Sequence, residues 1–224
     1  MREFFLLMAA LSCPLLPSPV HGQEAAPRFL YFYRDSLKHG VDSAYRVIEN
    51  DGAQICADRR CPNPYVAIES LSGSHEVWWL NTFATTADTA RVSKRYATDR
   101  ALSAALGEIA QRKAALIGAP VQGFAVYRRD SSRDRTWSVA GARFIVVTVT
   151  RNHERAHGSA WMTSDSTLYV LRPVHGLSEA QALAAGTAAR VFAVRPNWSM
   201  PAPEWVAADP DFWRAAPRRS ARAK

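Results

Sequence analysis

Residues 65–83 read YVAIESLSGSHEVWWLNTF, and they contain two stretches in which apolar and polar side chains alternate. Alternation with a period of two is typical of β-strands. The Ser72-Gly73-Ser74 segment between the stretches favours a tight turn, so the whole motif indicates a hairpin. We therefore predict strands at 65–71 and 76–84.

The segments around the hairpin complete an alternating order of strands and helices. Thr85 with Asp88, and then Asp99, have the residue types and spacing of helix N-caps. The predicted neighbours of the hairpin are a strand at 29–34, a helix at 41–56, helices starting near 85 and 99, and a strand at 123–127. This β-α-β-β-α-β order predicts an α+β fold, a ferredoxin-like βαββαβ domain of the dimeric α/β-barrel type. Its antiparallel sheet has helices on one face, so the open face needs a cover.

The second half of the chain is predicted to be a smaller, strand-rich α+β segment. It has strand patterns at 143–150, 167–171 and 190–194 and a helix pattern at 178–185. The predicted organisation is a signal peptide at 1–22, the ferredoxin-like domain at 23–130, a linker at 131–142, the C-terminal segment at 143–213 and a basic tail at 214–224. The cover for the open face is either an internal interface with this segment or a homodimer partner.

Residues 1–22 have the parts of a secretory signal peptide: Arg2, an apolar run too short to span a bilayer, and Val20-His21-Gly22 before Gln23. We therefore expect a protein that is soluble after cleavage and periplasmic or secreted. In such an oxidising compartment, Cys56 and Cys61 are predicted to form a disulfide. The net charge of +8 does not indicate a nucleic-acid partner, because no stacking aromatic residues are interleaved with the arginines.

Aromatic residues on the predicted open face suggest a ligand site. The candidate binding residues are Tyr31, Tyr33, Glu69, Trp79, Asn81 and Tyr127. If their faces coincide, they line a pocket for a small, planar, apolar ligand, with Glu69 as a base whose pKa rises on burial. The alternatives are that these aromatic residues belong to the core or to a dimer interface. No sequence motif predicts a cofactor.

Residues 153–157 read HERAH, a literal H-E-x-x-H motif. On a helix, His153 and His157 lie on one face and bind zinc, with Glu154 as general base and Glu179 as a third ligand. The context favours a polar loop instead, because a strand precedes the motif directly, Gly158 follows it, and Arg155 is charged. The zinc site is therefore an alternative hypothesis, beside an adventitious or structural metal site.

Three stretches carry a resemblance that covers about 29–213: the hairpin at 65–83, RFIVVTVTR at 143–151 and RVFAVRPNWSMPAPEWVAADPDFW at 190–213. They resemble a family of uncharacterised bacterial exported proteins. The N-terminal half is similar in element order to the dimeric α/β-barrel superfamily, the antibiotic-biosynthesis-monooxygenase type. That similarity implies cofactor-free monooxygenase or haem-degrading activity. For the haem-degrading case, His39 and His75 are the candidate iron ligands in this half.

Three functions follow in order of preference. The first is a non-enzymatic exported protein that binds a small apolar ligand or a protein partner through the open sheet face. The second is a cofactor-free or haem-dependent oxygenase or isomerase that uses Tyr31, Glu69, Trp79 and Asn81. The third is a zinc hydrolase based on residues 153–157.

Overall fold

A computed structural model describes residues 25–152 and 156–220 of the chain. The strands in these ranges are β1 (Phe29–Ser36), β2 (Val66–Ser70), β3 (Glu76–Phe83), β4 (Val121–Tyr127), β5 (Phe144–Thr150), β6 (Ser159–Thr163), β7 (Leu168–Val174) and β8 (Arg190–Val194). The helices are α1 (Asp42–Arg59), α2 (Thr86–Thr98), α3 (Arg100–Ala114), α4 (Leu177–Ala184) and α5 (Pro203–Ala208), with short 3-10 turns at Pro196–Trp198 and Trp213–Ala215.

The strands form one closed antiparallel barrel in the order β1-β3-β2-β8-β5-β7-β6-β4. Two junctions join the N-terminal four strands to the C-terminal four. At the first, Ile68 of β2 lies opposite Val194 of β8. At the second, Val126 of β4 lies opposite Met162 of β6. Because β1 also pairs with both β3 and β4, every strand has two neighbours and no edge is left unpaired.

The predicted fold class is therefore wrong. The chain is not a ferredoxin-like βαββαβ domain followed by a smaller strand-rich segment, because both halves supply four strands to a single barrel. Alternation predicts that a strand has one apolar and one polar face, but it does not predict which strands become its hydrogen-bonded neighbours. The face turned away from the helices is the interior of this barrel. A homodimer, predicted as one way to cover that face, is not needed for that purpose.

Most individual elements lie where the sequence pattern places them. The capping box at Thr85 and Asp88 is confirmed, since each side chain accepts a hydrogen bond from the backbone N–H of the other. The Asp99 cap is also confirmed, since Leu102 N donates to Asp99 Oδ1 at 3.1 Å. Strand β6 was missed, because its five residues directly follow the polar motif that was interpreted as a loop.

Large side chains fill the barrel interior. The rings of Phe32 (β1) and Tyr169 (β7) are 4.4 Å apart, and Trp78 (β3) is 5.5 Å from Phe192 (β8). These pairs join strands that are not sheet neighbours, so they cross the interior. Gly123 of β4 makes room for this packing, because a Cβ there would lie 2.8 Å from the ring of Phe32. Inward-facing positions are therefore core, and they leave little space for a ligand.

Two segments outside the strands complete this core. Residues 131–142, predicted to be a linker, contribute the buried residues Trp137 and Val139, and the Trp137 ring packs 5.3 Å from Trp161. The C-terminal segment contributes Trp205 and Trp213, whose rings are 6.0 Å apart. Exposed together, these tryptophans would form an unfavourable apolar surface patch.

The helices lie outside the barrel. Helix α4 packs on the outer face of the C-terminal strands, where Ala180 contacts the cluster of Val146, Val174 and Val191. Helices α1, α2 and α3 pack beside β1 and β3 of the N-terminal half. Within residues 25–152 and 156–220, none of the helices has the length and apolar character needed to cross a membrane.

A disulfide joins Cys56 in α1 to Cys61 just beyond the end of that helix. Cys61 N also donates a hydrogen bond to Cys56 O at 2.9 Å, so the helix end is held twice. Because the bond closes a short loop, we expect its removal in a Cys56→Ser/Cys61→Ser variant to lower the free energy of unfolding by about 2 kcal/mol. Urea unfolding with and without dithiothreitol measures this effect. Equal stabilities of the oxidised and reduced wild-type protein would contradict the prediction, and dithiothreitol should not affect the variant.

Candidate functional site

A cavity of about 590 Å³ lies between the outer face of the N-terminal strands and helices α1, α2 and α3. Its walls are largely aromatic, and they come from β1, β3, β4, α2 and the residue before β2. These residues are Tyr31, Tyr33, Tyr65, Trp79, Tyr96 and Phe124. Ligand pockets in proteins commonly enclose about 300–1,000 Å³ and are mostly apolar, so this cavity has the size and lining of one.

The strand period explains why these aromatic side chains face outward. In β1, Leu30 and Phe32 belong to the barrel core, whereas Tyr31 and Tyr33 line the cavity. The same alternation in β3 turns Trp78 inward and Trp79 outward. The helices close the cavity with apolar residues, including Val92 of α2 and Ile109 of α3.

Polar side chains at the cavity wall form a second feature, a hydrogen-bonded rim. Asn63 Nδ2 donates to Asn81 Oδ1 at 2.5 Å, and the Tyr96 hydroxyl donates to Asn63 Oδ1 at 3.5 Å. The Tyr31 hydroxyl donates to Gln122 Oε1 at 2.7 Å. Burial raises the pKa of Tyr96 to about 12, so its hydroxyl is neutral at physiological pH. The rim therefore offers neutral hydrogen-bonding groups to a ligand.

Two charged side chains, Glu49 from α1 and Lys113 from α3, line the cavity floor. They are 5% and 7% exposed, and Lys113 Nζ lies 2.9 Å from Glu49 Oε1. Lys113 Nζ also donates to Asp35 Oδ2 at 2.9 Å, and the Tyr45 hydroxyl donates to the same oxygen at 2.8 Å. The ammonium group is 4.5 Å from the centroid of the Trp79 ring, within cation–π range.

Electrostatics at the floor follow from this arrangement. Burial raises the pKa of Glu49, and the nearby ammonium of Lys113 only partly opposes that effect. Burial alone would lower the pKa of Lys113, but the charges of Glu49 and Asp35 outweigh it and raise that pKa. Burial, followed by the charge of Asp35, raises the pKa of Tyr33 to about 12. The floor therefore holds a protonated lysine beside a carboxyl group that binds a proton more readily than usual.

The structure brings together four of the six predicted binding residues, Tyr31, Tyr33, Trp79 and Asn81, on one cavity wall. This wall is the helix-covered face of the strands, whereas the predicted pocket was on the opposite, open face. Tyr127 lies elsewhere: it packs on the barrel core, 5.8 Å from the Trp161 ring, and its hydroxyl donates to Asp134 O.

Glu69 shares the outer face but forms an ion-pair cluster away from the cavity. Arg195 Nε donates to its Oε2 at 2.5 Å, and Arg46 Nη2 is 3.3 Å from its Oε1. His75 lies between Glu69 and Asp42, with ring nitrogens 3.0 Å and 2.8 Å from their carboxylate oxygens. Both ring nitrogens of His75 thus contact carboxylate oxygens, and His39 is exposed beyond the end of β1.

Sequence reasoning missed Glu49 and Lys113. A signal for Lys113 was present, because it continues the apolar stripe of Leu102, Leu106 and Ile109 at helical spacing. A lysine in line with such a stripe faces the interior, and a buried lysine needs an acidic partner. Glu49 gave no comparable signal, since charged residues stand close to it along α1.

The H-E-x-x-H hypothesis falls largely outside the described residues, which omit His153, Glu154 and Arg155. Of the two remaining candidate ligands, His157 Nε2 lies 2.8 Å from Arg133 Nη1, and Glu179 is exposed in the first turn of α4. In the part of the chain that the structure covers, no group of three or more His, Cys, Asp or Glu side chains is arranged to hold a metal ion. The zinc hydrolase stays a prediction.

No family model matches the sequence, and no curated protein does. Among solved structures, the chain is similar to a candidate monooxygenase from Fusobacterium nucleatum, with a TM-score of 0.47 and 11% identity over 75% of this chain and 93% of that one. A candidate monooxygenase from Lactobacillus acidophilus aligns with a TM-score of 0.41 and 7% identity over the same shares of the two chains. Both similarities are too distant to carry an argument about activity, and the resemblance to exported bacterial proteins stays a prediction.

Proposed function

We propose that this chain binds a small, largely apolar ligand in the cavity between helices α1–α3 and the outer face of β1 and β3. The observation that carries the proposal is an aromatic cavity of about 590 Å³ whose wall includes Tyr31, Tyr33 and Trp79. Flat aromatic walls favour a ring-containing ligand, because stacked and edge-to-face ring pairs add to the apolar area that is buried. The Asn63 and Asn81 amides would orient its polar end.

The entrance to the cavity lies between α2 and α3. Ser93 of α2 and Ala110 of α3 line the cavity and are exposed to solvent, and Thr89 of α2 lines it and is partly exposed. A ligand can therefore enter without opening the barrel. The Cys56–Cys61 disulfide supports the accompanying proposal that the protein acts in an oxidising, exported compartment.

A large side chain at the entrance should block binding. We expect Ala110→Trp to weaken the binding of 1-N-phenylnaphthylamine, an apolar fluorescent probe, by about tenfold or more, measured by fluorescence titration. Ala104→Trp is the matched control, because Ala104 is also exposed on α3 but does not line the cavity. Equal affinities of both variants and wild type would place the bound probe elsewhere and contradict the proposal.

An oxygenase or isomerase would use the same cavity, since Tyr31, Trp79 and Asn81 line it. Glu69, the base in that hypothesis, is held by Arg195, Arg46 and His75 away from the cavity. An enzymatic function would therefore need a different acid–base group.

A further inference from the structure

The cavity floor has one more acid than it needs to balance its base. Lys113 forms one close contact with Asp35 and another with Glu49, each at 2.9 Å. Asp35 is fully buried and also accepts the Tyr45 hydroxyl, so it is the fixed counter-ion of the lysine. Glu49 lines the cavity as a second carboxyl group, and a buried charge of this kind is costly unless it is neutralised. Burial accordingly raises the pKa of Glu49.

The positions of these groups divide them into two layers. Glu49 and Lys113 line the cavity, whereas Asp35 and Tyr45 lie behind Lys113. An ammonium group has three N–H donors. Lys113 donates one of them to Asp35 and lies 2.9 Å from Glu49 Oε1, so at least one remains for an oxygen atom of a ligand. A carboxyl group and a cationic hydrogen-bond donor thus lie side by side at the floor of an aromatic cavity.

We propose that Glu49 and Lys113 catalyse proton transfer at the carbon next to the carbonyl group of an apolar ketone held in this cavity. The Glu49 carboxylate takes the proton, the C–H electron pair becomes the C=C bond, and the carbonyl π pair moves to oxygen. Lys113 donates a hydrogen bond to the resulting enolate oxygen. Glu49 exchanges this proton with solvent and then returns one to carbon, so water is the only other reactant. Glu49 and Lys113 are the catalytic residues, and Asp35 and Tyr45 are positioning residues.

This inference depends on the proposed function, because the ketone must occupy the same cavity. The probe is 2-tetralone, a planar apolar ketone with exchangeable protons beside its carbonyl group. Displacement of 1-N-phenylnaphthylamine reports its binding. Proton NMR in D₂O reports its exchange, which appears as loss of the signal at the carbon between ring and carbonyl group.

We expect wild-type protein to bind 2-tetralone and accelerate its exchange above the buffer rate. Glu49→Gln should retain binding and lower the protein-dependent rate by about 100-fold or more. Glu49→Asp should restore part of the rate, since it returns a carboxylate at a shorter reach. The matched control is Glu108→Gln, because Glu108 is exposed on α3 and does not line the cavity. Its rate should equal that of wild type.

Three other results would contradict one or both proposals. Binding without exchange above the buffer rate would overturn the proton-transfer proposal and leave the ligand-binding function standing. Exchange that survives in Glu49→Gln would also overturn it. Failure of the wild type to bind either probe would overturn both proposals together.

The pH dependence of exchange provides an independent check. The groups that face Glu49 are Lys113 from α3, Asp35 and Tyr33 from β1, Tyr45 from α1, and Tyr65 before β2. Because burial raises the pKa of Glu49, its carboxylate forms only above the usual range, and the exchange rate should rise with pH through that raised pKa. A midpoint at or below the ordinary value of 4.5 would show that another group is the base.

Discussion

Lys113→Met is expected to lower the free energy of unfolding by about 3–5 kcal/mol, the loss that typically follows removal of one partner from a buried ion pair. Lys113 is 7% exposed, and both of its acidic partners, Asp35 and Glu49, are buried as well. The methionine side chain replaces most of the lysine stem, so the packing volume changes little. The cost therefore arises from two carboxyl groups that lose their cation in a place that water scarcely reaches.

The sign of the pH dependence follows from Glu49. Burial already raises its pKa above the unfolded value, and removal of Lys113 takes away the main group that opposes this shift. A carboxyl group with a raised folded-state pKa stabilises the protein below its unfolded pKa, and that contribution is lost as pH rises through the folded pKa. The variant should therefore be closest to wild type near pH 4–5 and furthest from it near pH 8.

Urea unfolding followed by tryptophan fluorescence measures the difference. Lys94→Met is the matched control, because Lys94 is exposed on α2, and its effect should stay within about 0.5 kcal/mol. The double variant Asp35→Asn/Lys113→Met removes one of the two stranded charges and should recover part of the lost stability. If Lys113→Met were as stable as wild type at pH 8, the buried ion-pair network would not exist in solution.

Local sequence patterns were sufficient to predict most of the helices and strands, but not how the strands pair to close the barrel. The alternation in β3 and the caps at Thr85 and Asp99 act over a few residues, so they can be identified from the sequence alone. The junctions β2–β8 and β4–β6 join residues more than 30 positions apart, such as Ile68 with Val194 and Val126 with Met162. No local preference encodes that pairing, and it is the pairing that turns an open sheet into a barrel.

The aromatic wall of the candidate site could be predicted from local patterns, but its position and its charged floor could not. Tyr31, Tyr33, Trp79 and Asn81 share a face by strand alternation, and they do meet in one cavity. Whether that face is covered by the helices or left open depends on helix packing and barrel closure. The sequence prediction therefore placed the pocket on the wrong face of the sheet. The charged floor depends on contacts between β1, α1 and α3, and Lys113 is far in sequence from both Asp35 and Glu49. Only a three-dimensional structure brings these groups together.

Trp213→Ala is expected to cost about 3–5 kcal/mol, the usual range for removing a fully buried tryptophan from a core. Trp213 is 1% exposed although it stands near the C-terminal end of the chain. Its ring packs 6.0 Å from Trp205 and 5.0 Å from Phe212, beside the buried residues of the barrel. Alanine would leave a cavity at this position. The short helix and 3-10 turn around it could fill that cavity only by losing their own contacts.

Two further variants separate core packing from other causes. Trp213 Nε1 is buried and has no hydrogen-bond partner among the described residues, so Trp213→Phe loses ring volume but no hydrogen bond and should cost clearly less than alanine. Arg214→Ala removes the neighbouring exposed side chain and its surface contact with Asp211, which should change stability by less than about 0.5 kcal/mol. Thermal and urea unfolding of the three variants measure these differences. If alanine at 213 had no greater effect than alanine at 214, the C-terminal segment would not be part of the barrel core.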